Sequence, residues 1–407
     1  MPSPPFRFLH ASDFHLDRPM MGITDAPSSM LDDLIDAPYD AAEQIFQSAI
    51  QENVEFILLL GDILNVKLAG PRGLAFLVDQ FSKLGEHGIA IHWLDGSSDP
   101  LKDWPAAVQL PPNVHRFSTT SSTADLLIGP QEQPRAQLLH IVQDIDGKPQ
   151  ISGSPQTSAM ITNIGVGYGD FDTEQLNLSG VQYAALGGRH QPQTLATKPS
   201  VIHYCGTHQG RGQTETGPHG ATLVEITETQ SVQTHRLTVD TIRWHTEEIK
   251  LNENNGAEEL GRLLARGLEK LANKDPDRTW LVTWLLTGPS SLGHQLRRGG
   301  LAKGLIRQLR SRFDSNSKRI WTVGIESSKS GSIEPSSYEE DTILGEYLRA
   351  IRRRQQGHGT PIDLTTGLMP QPLSNELRQL LSQAGKSPEK CELQESALQG
   401  FDLLHGD

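Results

Sequence analysis

Three short polar segments of this sequence hold side chains that could bind a divalent metal ion. Asp13-Phe14-His15, Gly61-Asp62 and Gly96–Asp99 each contain a carboxylate, and each follows an apolar run. Carboxylates and imidazoles are ligands that Mn²⁺, Fe²⁺ and Zn²⁺ accept. A metal ion held in this way could acidify a water molecule and polarise a phosphoryl oxygen. The residue types therefore indicate a site that binds a divalent metal ion.

Parallel β-strands are predicted to position these three segments. The apolar runs Phe6–Ala11, Phe56–Leu60 and Ile89–Leu94 are typical of buried strands, while Tyr39–Glu52 and Gly73–His87 have helical periodicity. Strands that alternate with helices predict a parallel sheet with crossover helices. In such sheets ligands bind at the carboxyl ends of the strands, where all three polar segments lie.

The remaining sequence predicts an α/β protein with further modules. Short apolar runs separated by Gly, Ser and Pro continue to about residue 240, so residues 1–240 are predicted to form one two-sheet α/β sandwich. Residues 241–330 alternate strand and helix patterns and predict a small α+β module. Residues 331–407 predict a linker and a helical tail, with helices at Tyr338–Gln356 and Ser374–Gln383.

Composition limits the class of protein. The 407 residues carry a formal net charge of −13, which argues against a general electrostatic attraction to nucleic acid but allows a local basic surface. Two cysteines are too few for a disulfide framework. We expect no membrane span because no apolar run approaches the required length. With no recognisable signal peptide either, the expected location is the cytoplasm.

Two later segments complete a recognisable pattern. Tyr183–Leu186 leads into Gly187-Gly188-Arg189-His190, and Tyr204-Cys205-Gly206-Thr207-His208 leads into Gln209-Gly210-Arg211. Together with the first three segments, and in the same order, they resemble the SbcD-like and YhaO-like DNA repair exonucleases of the calcineurin-type metallophosphoesterase superfamily. The resemblance covers roughly residues 6–326. It implies the metallophosphoesterase sandwich fold, with the α+β module in the place of the DNA-capping region.

The resemblance assigns a set of ligands to each of two metals. The first metal of the family would be held by Asp13, His15, Asp62 and His190, and all four are present. The ligands that belong to the second metal alone correspond to Ser97, to Gly167 or Tyr168, and to Gly188. Ser98 stands at the position of the catalytic histidine, so no catalytic residue of the usual kind is intact. The implied site is degenerate and holds one divalent ion, for which we expect Mn²⁺.

Simpler roles exist for these residues. Asp13, His15 and Asp62 could serve in strand-end capping and turns, because Asp after Gly is common in loops. His190 could be an ordinary loop histidine. Among accessory candidates, Asp99 could stabilise its own turn and His208 could replace a lost ligand. Arg211 could contact substrate phosphate or pair with an acidic residue.

Three functions remain open at this point. The first is a DNA exonuclease with one metal and weak or altered hydrolysis. The basic residues between Arg297 and Arg319 could then contact the DNA backbone, although such a run of charges could also be a solvated helix face. The second is a catalytically inactive pseudo-nuclease that binds DNA or docks an SbcC-like ATPase through the C-terminal tail. The third is a small-molecule phosphatase or nucleotide phosphodiesterase, since a fold does not determine a function. The resemblance also implies a homodimer.

Overall fold

A computed structural model describes most of the chain. The described residues are 5–117, 125–128, 134–143, 146–158, 160–172, 176–252, 254–276, 278–288, 292, 296, 300–311, 319–327, 333, 335–357 and 390–404. By its contacts the chain divides into two compact units, 1–245 with 275–282 and 246–274 with 283–407. The predicted domain boundaries at 240 and 330 remain predictions.

The first sheet of the described chain carries the loops that hold the predicted ligands. Its order is β13-β12-β1-β2-β3-β4, and β1 to β4 run parallel. The strands are β1 Phe6–Ala11, β2 Phe56–Leu60, β3 Ala90–Leu94, β4 Val114–Phe117, β12 Gly220–Ile226 and β13 Val232–Thr238. The predicted parallel order of the first three strands is confirmed.

Two helices cover the outer face of this sheet. They are α1 Ser28–Gln51 and α2 Gly70–Glu86, and they pack with the sheet into a core that includes Ile45, Phe46 and Phe81. The prediction that α1 begins at Tyr39 is wrong. Pro38 lies inside the helix, whose earlier turns bury Met30 and other apolar residues. A proline therefore did not end the helical pattern, because tertiary burial outweighed its cost.

The second sheet of the described chain packs against the inner face of the first. Its order is β10-β11-β9-β8-β6-β5, with β7 on the side of β6. The strands are β5 Asp125–Ile128, β6 Pro134–Gln143, β7 Pro149–Ile151, β8 Thr162–Tyr168, β9 Tyr183–Gly187, β10 Gln193–Ala196 and β11 Val201–Tyr204. Phe8 and Leu58 from the first sheet meet Ile164 and Tyr183 from the second in one core. The predicted two-sheet sandwich is confirmed.

The C-terminal half builds a smaller sheet and a helix pair. Strands β14 Ile242–Lys250, β15 Thr279–Thr287 and β16 Ile320–Ser327 form the sheet, accompanied by α3 Ala257–Lys274 and α4 Gly300–Arg310. Helices α5 Ile343–Gln355 and α6 Lys390–Leu404 contact each other, and the Tyr347 hydroxyl donates to the Ser396 carbonyl over 2.7 Å. The helix predicted at Ser374–Gln383 lies outside the described residues.

None of the helices in the described ranges is both long enough and apolar enough to cross a membrane.

Candidate metal centre

The first two loops of the centre are joined through their backbones. The Asp13 amide donates to the Gly61 carbonyl over 3.0 Å, and the His15 amide donates to the Asp62 carbonyl over 2.8 Å. Asp13, His15 and Asp62 all have positive φ angles, at 57°, 45° and 52°. This left-handed conformation costs non-glycine residues about 1–3 kcal/mol each and is concentrated at functional sites. The strain therefore falls on three of the four residues that the resemblance implied as ligands.

Side chains far apart in the sequence converge at this point. Asp13, His15 and His190 offer ligand atoms that all lie within 4.8 Å of one another. The Oδ2 atom of Asp62 lies 3.7 Å from His15 Nε2 and borders this group. The fold thus brings the four residues together at the carboxyl ends of β1, β2 and β9.

Several buried ligand atoms lack hydrogen-bond partners among the described residues. Asp13 Oδ2 accepts from the Ser12 hydroxyl at 2.6 Å and from the Gly188 amide at 2.9 Å, whereas Oδ1 has no partner. Neither ring nitrogen of His15 has one. Burying polar atoms without partners costs about 1–3 kcal/mol per group. A divalent cation would satisfy Asp13 Oδ1 and one ring nitrogen of His15, so the residues fit a metal ion.

Burial changes the protonation of the ligands. It raises the pKa of Asp13 to about 7 and lowers the pKa of His15 to about 3. The His15 imidazole is therefore neutral near pH 7, which is the form that binds metals. At Asp62 burial acts to raise the pKa, but hydrogen bonds from the Ser98 amide and hydroxyl bring it below the usual value.

His190 is oriented by a carboxylate that was absent from the predicted ligand set. Its Nδ1 lies 2.6 Å from Oε1 of Glu215, whose other oxygen accepts from the Arg211 amide at 2.8 Å. When Nδ1–H donates to Glu215, Nε2 keeps its lone pair for a metal, which is a common outer-shell arrangement. Burial acts to raise the pKa of Glu215, but the hydrogen bond with His190 and the charge of Arg211 lower it to about 2.

We expect Glu215→Gln to weaken metal binding about 10–100-fold, because loss of an outer-shell carboxylate typically has this effect. Isothermal titration with Mn²⁺ measures the change. Glu225→Gln is the matched control, since Glu225 lies on β12 and pairs with Arg7. Equal Mn²⁺ affinities for the two variants would contradict the orienting role of Glu215.

The three accessory candidates take up positions outside the group of converging ligand atoms. Asp99 accepts hydrogen bonds from backbone amides of the second and third loops. His208 Nε2 lies 2.7 Å from the Pro38 carbonyl, and its ring packs 4.3 Å from that of Phe14. Arg211 pairs with Glu215 at 3.3 Å. His208 therefore supports the first loop from behind, and Arg211 neutralises a carboxylate.

The positions that correspond to the second metal carry other groups. The Ser98 amide and hydroxyl donate to the Asp62 carboxylate at 2.7 and 2.9 Å, and the Ser97 hydroxyl lies 3.2 Å from both of its oxygens. Gly188 has a φ of 100°, and a Cβ there would lie 2.9 Å from the Gly169 nitrogen. A histidine at that position would therefore be strained and crowded.

Comparison with known proteins finds a similar sequence and a similar solved structure. No family model matches the chain. It is similar to "Uncharacterized metallophosphoesterase YhaO" of Bacillus subtilis (strain 168), with 27% identity over 315 residues that cover 69% of this chain and 74% of that protein. A crystal structure of a dimetal phosphatase from Danio rerio aligns with 58% of this chain and 100% of its own, at 10% identity and a TM-score of 0.33. The chain is a metallophosphoesterase-like α/β protein.

Proposed function

We propose that this chain is a DNA exonuclease-like phosphodiesterase that holds one divalent ion, expected to be Mn²⁺, and hydrolyses its substrate weakly. The observation that carries the proposal is the asymmetry of the centre. Asp13, His15 and His190 direct metal-ligand atoms toward one point. In the described chain, Oδ1 of Asp13 and both ring nitrogens of His15 have no hydrogen-bond partner. Asp62, by contrast, already accepts hydrogen bonds from Ser97 and Ser98.

The charges of the centre favour a phosphodiester substrate over a phosphate monoester. A bound divalent ion would act as a Lewis acid on a phosphoryl oxygen. Asp13 and Asp62 contribute two negative charges when ionised, and the charge of Arg211 is balanced by Glu215. The centre therefore has no excess positive charge for a doubly charged phosphate monoester. A singly charged phosphodiester suits it better.

The residue at the catalytic histidine position also supports weak hydrolysis. Ser98 stands there, and its hydroxyl donates to Asp62 instead of facing a leaving group. A serine hydroxyl is a poor acid near pH 7. Loss of general acid catalysis typically lowers a rate about 10²–10⁴-fold.

DNA as the substrate is supported by the sequence resemblance and by basic residues on α4. Lys303 and Arg307 belong to this helix, whereas the guanidinium of Arg310 donates to the Thr322 and Val323 carbonyls. Arg297, Arg298, Arg312 and Lys318 lie outside the described residues. Two basic side chains on one helix form a small surface for DNA. We therefore expect salt-dependent contacts with the DNA backbone to contribute modestly to the binding affinity.

The test is Mn²⁺-dependent cleavage of single-stranded and hairpin DNA, with bis-p-nitrophenyl phosphate and p-nitrophenyl phosphate as a diester and monoester pair. We expect slow cleavage of DNA and of the diester that is lost in Asp62→Ala and in His190→Ala. His190 is the most exposed of the four ligands, so its alanine variant should fold. Cleavage no faster than in these variants would overturn the proposal.

A pseudo-nuclease scaffold is the second candidate, and the occupied carboxylate of Asp62 favours it too. In that case DNA, or an SbcC-like ATPase docked on the C-terminal tail, would bind without turnover. Binding that survives Asp62→Ala, with no cleavage by the unaltered protein, is the result that selects this candidate. A homodimer, which the resemblance implies, is part of both proposals and is measured by light scattering.

A further inference from the structure

The carboxylate of Asp62 accepts hydrogen bonds from two adjacent residues of the third loop. The Ser98 amide reaches Oδ1 at 2.7 Å, and the Ser98 hydroxyl reaches Oδ2 at 2.9 Å. The Ser97 hydroxyl is shared between the two oxygens at 3.2 Å each. These distances are typical of charge-assisted bonds for Ser98 and of a weaker, shared bond for Ser97.

Tyr168 closes the same space from the second sheet. It ends β8, and its hydroxyl lies beside Asp62 and Ser97. Its ring lies directly on Gly61, where a Cβ would overlap the ring. A Cβ on Gly96 would likewise overlap the Asp62 carboxylate. The two glycines are therefore needed for the close approach of the Tyr168 ring and of the third loop.

These hydrogen-bond donors fill the space beside the Asp62 carboxylate in which a second cation would have to lie. A carboxylate offers about four lone-pair sites. Two are used by Ser98, and the others are shared by the Ser97 and Tyr168 hydroxyls and the first metal. The hydrogen bond from Ser97 is the longest and is shared between the two oxygens of Asp62. We therefore expect this bond to break when Asp62 binds a metal ion. The set of residues does not fit a second ion.

We infer that Ser98 and Tyr168 form a hydrogen-bond clamp that replaces the second cation and holds Asp62 in place as a ligand of the single ion, and that Ser97 joins this clamp only in the metal-free protein. Tyr168 and Ser98 are thus positioning residues, which act through Asp62. The inference rests on the proposed single-ion centre. It adds the residues that keep Asp62 oriented as a ligand when no second ion is bound.

Two conservative variants separate the hydroxyl groups from the packing. Tyr168→Phe keeps the ring on Gly61 and removes one donor, and Ser98→Ala keeps the backbone amide and removes the hydroxyl. We expect each to weaken Mn²⁺ binding about 10–100-fold without changing the number of ions, as is typical for partners of a ligating carboxylate. The EPR spectrum of the bound Mn²⁺ should change as well, because the orientation of Asp62 changes.

Tyr183→Phe is the matched control. The Tyr183 hydroxyl is buried between the sheets and bonds with His10, so its loss perturbs packing without touching Asp62. Isothermal titration and EPR on the four proteins give the result. Wild-type affinity and spectrum in both clamp variants would overturn the inference and leave the single-ion proposal intact. If the unaltered protein binds no Mn²⁺, both the inference and the proposed function are wrong.

Discussion

Asp13→Asn is expected to weaken divalent metal binding about 10²–10³-fold while it stabilises the metal-free protein. Removal of one member of a buried charge pair costs about 3–5 kcal/mol, and each 1.4 kcal/mol is about tenfold in affinity. In the metal-free protein Asp13 is fully buried, has an unpaired Oδ1 among the described residues, and feels the charge of Asp62. The asparagine removes this unfavourable charge.

The stabilisation should depend on pH in a definite direction. Burial raises the pKa of Asp13 from 3.8 to about 7 in the folded protein, so the ionised form destabilises the fold. This penalty is absent below the unfolded pKa, grows as the pH rises, and is complete above the folded pKa. The gain in Tm of Asp13→Asn over the parent, measured in EDTA, should therefore be smaller at pH 5 than at pH 8, where we expect about 2–8 °C for a gain of about 1–2 kcal/mol.

Calorimetry with and without Mn²⁺ tests both halves of this prediction. Asp36→Asn, at an exposed position that pairs with Arg72, is the control and should change neither quantity. An Asp13→Asn variant that is less stable than the parent in EDTA at pH 8, or that binds Mn²⁺ as tightly, would contradict a strained metal centre.

Asp99→Ala is expected to cost about 3–5 kcal/mol of folding stability, the largest loss that we predict for a single site. Asp99 is buried, and its two oxygens accept four hydrogen bonds. The donors are the Asp62 amide at 2.9 Å, the Ile63 amide at 3.1 Å, the Gly96 amide at 2.7 Å and Trp93 Nε1 at 2.9 Å. The alanine leaves all four buried donors unpaired.

The measurement is chemical denaturation of Asp99→Ala in EDTA, with two reference variants. Asp99→Asn retains an acceptor oxygen and should lose less. Asp103→Ala removes a surface partner of Lys67, 2.9 Å away, and should lose at most about 1 kcal/mol. Similar midpoints for Asp99→Ala and Asp103→Ala would show that Asp99 does not join the second and third loops.

The sequence predicted the part of the centre that short segments determine. β1 and β2 begin and end where their apolar runs do, because a buried strand needs continuous apolar residues and a Gly-Asp turn ends it. Parallel order then places Asp13 and Asp62 at one edge of the sheet. His190 was predicted from its place after Tyr183–Leu186, and the structure brings it beside His15, with the two ring centroids 5.2 Å apart.

Other features depend on contacts that no local pattern reveals. Glu215 follows Arg211 by four residues, so its sequence context indicates an ion pair and gives no sign of His190. The part played by Tyr168 depends on how the two sheets pack over Gly61. Strands β4, β7 and β10 are short and partly polar, so they lack the pattern of a buried strand.

We propose that the chain has one metal site and that a hydrogen-bond clamp on Asp62 takes the place of a second cation. The most direct measurement is the number of Mn²⁺ ions per chain at saturation, by equilibrium dialysis and elemental analysis, with anomalous diffraction to locate them. We expect one ion, bound by Asp13, His15, Asp62 and His190. Two ions per chain, with the second beside Ser97 and Tyr168, would contradict it.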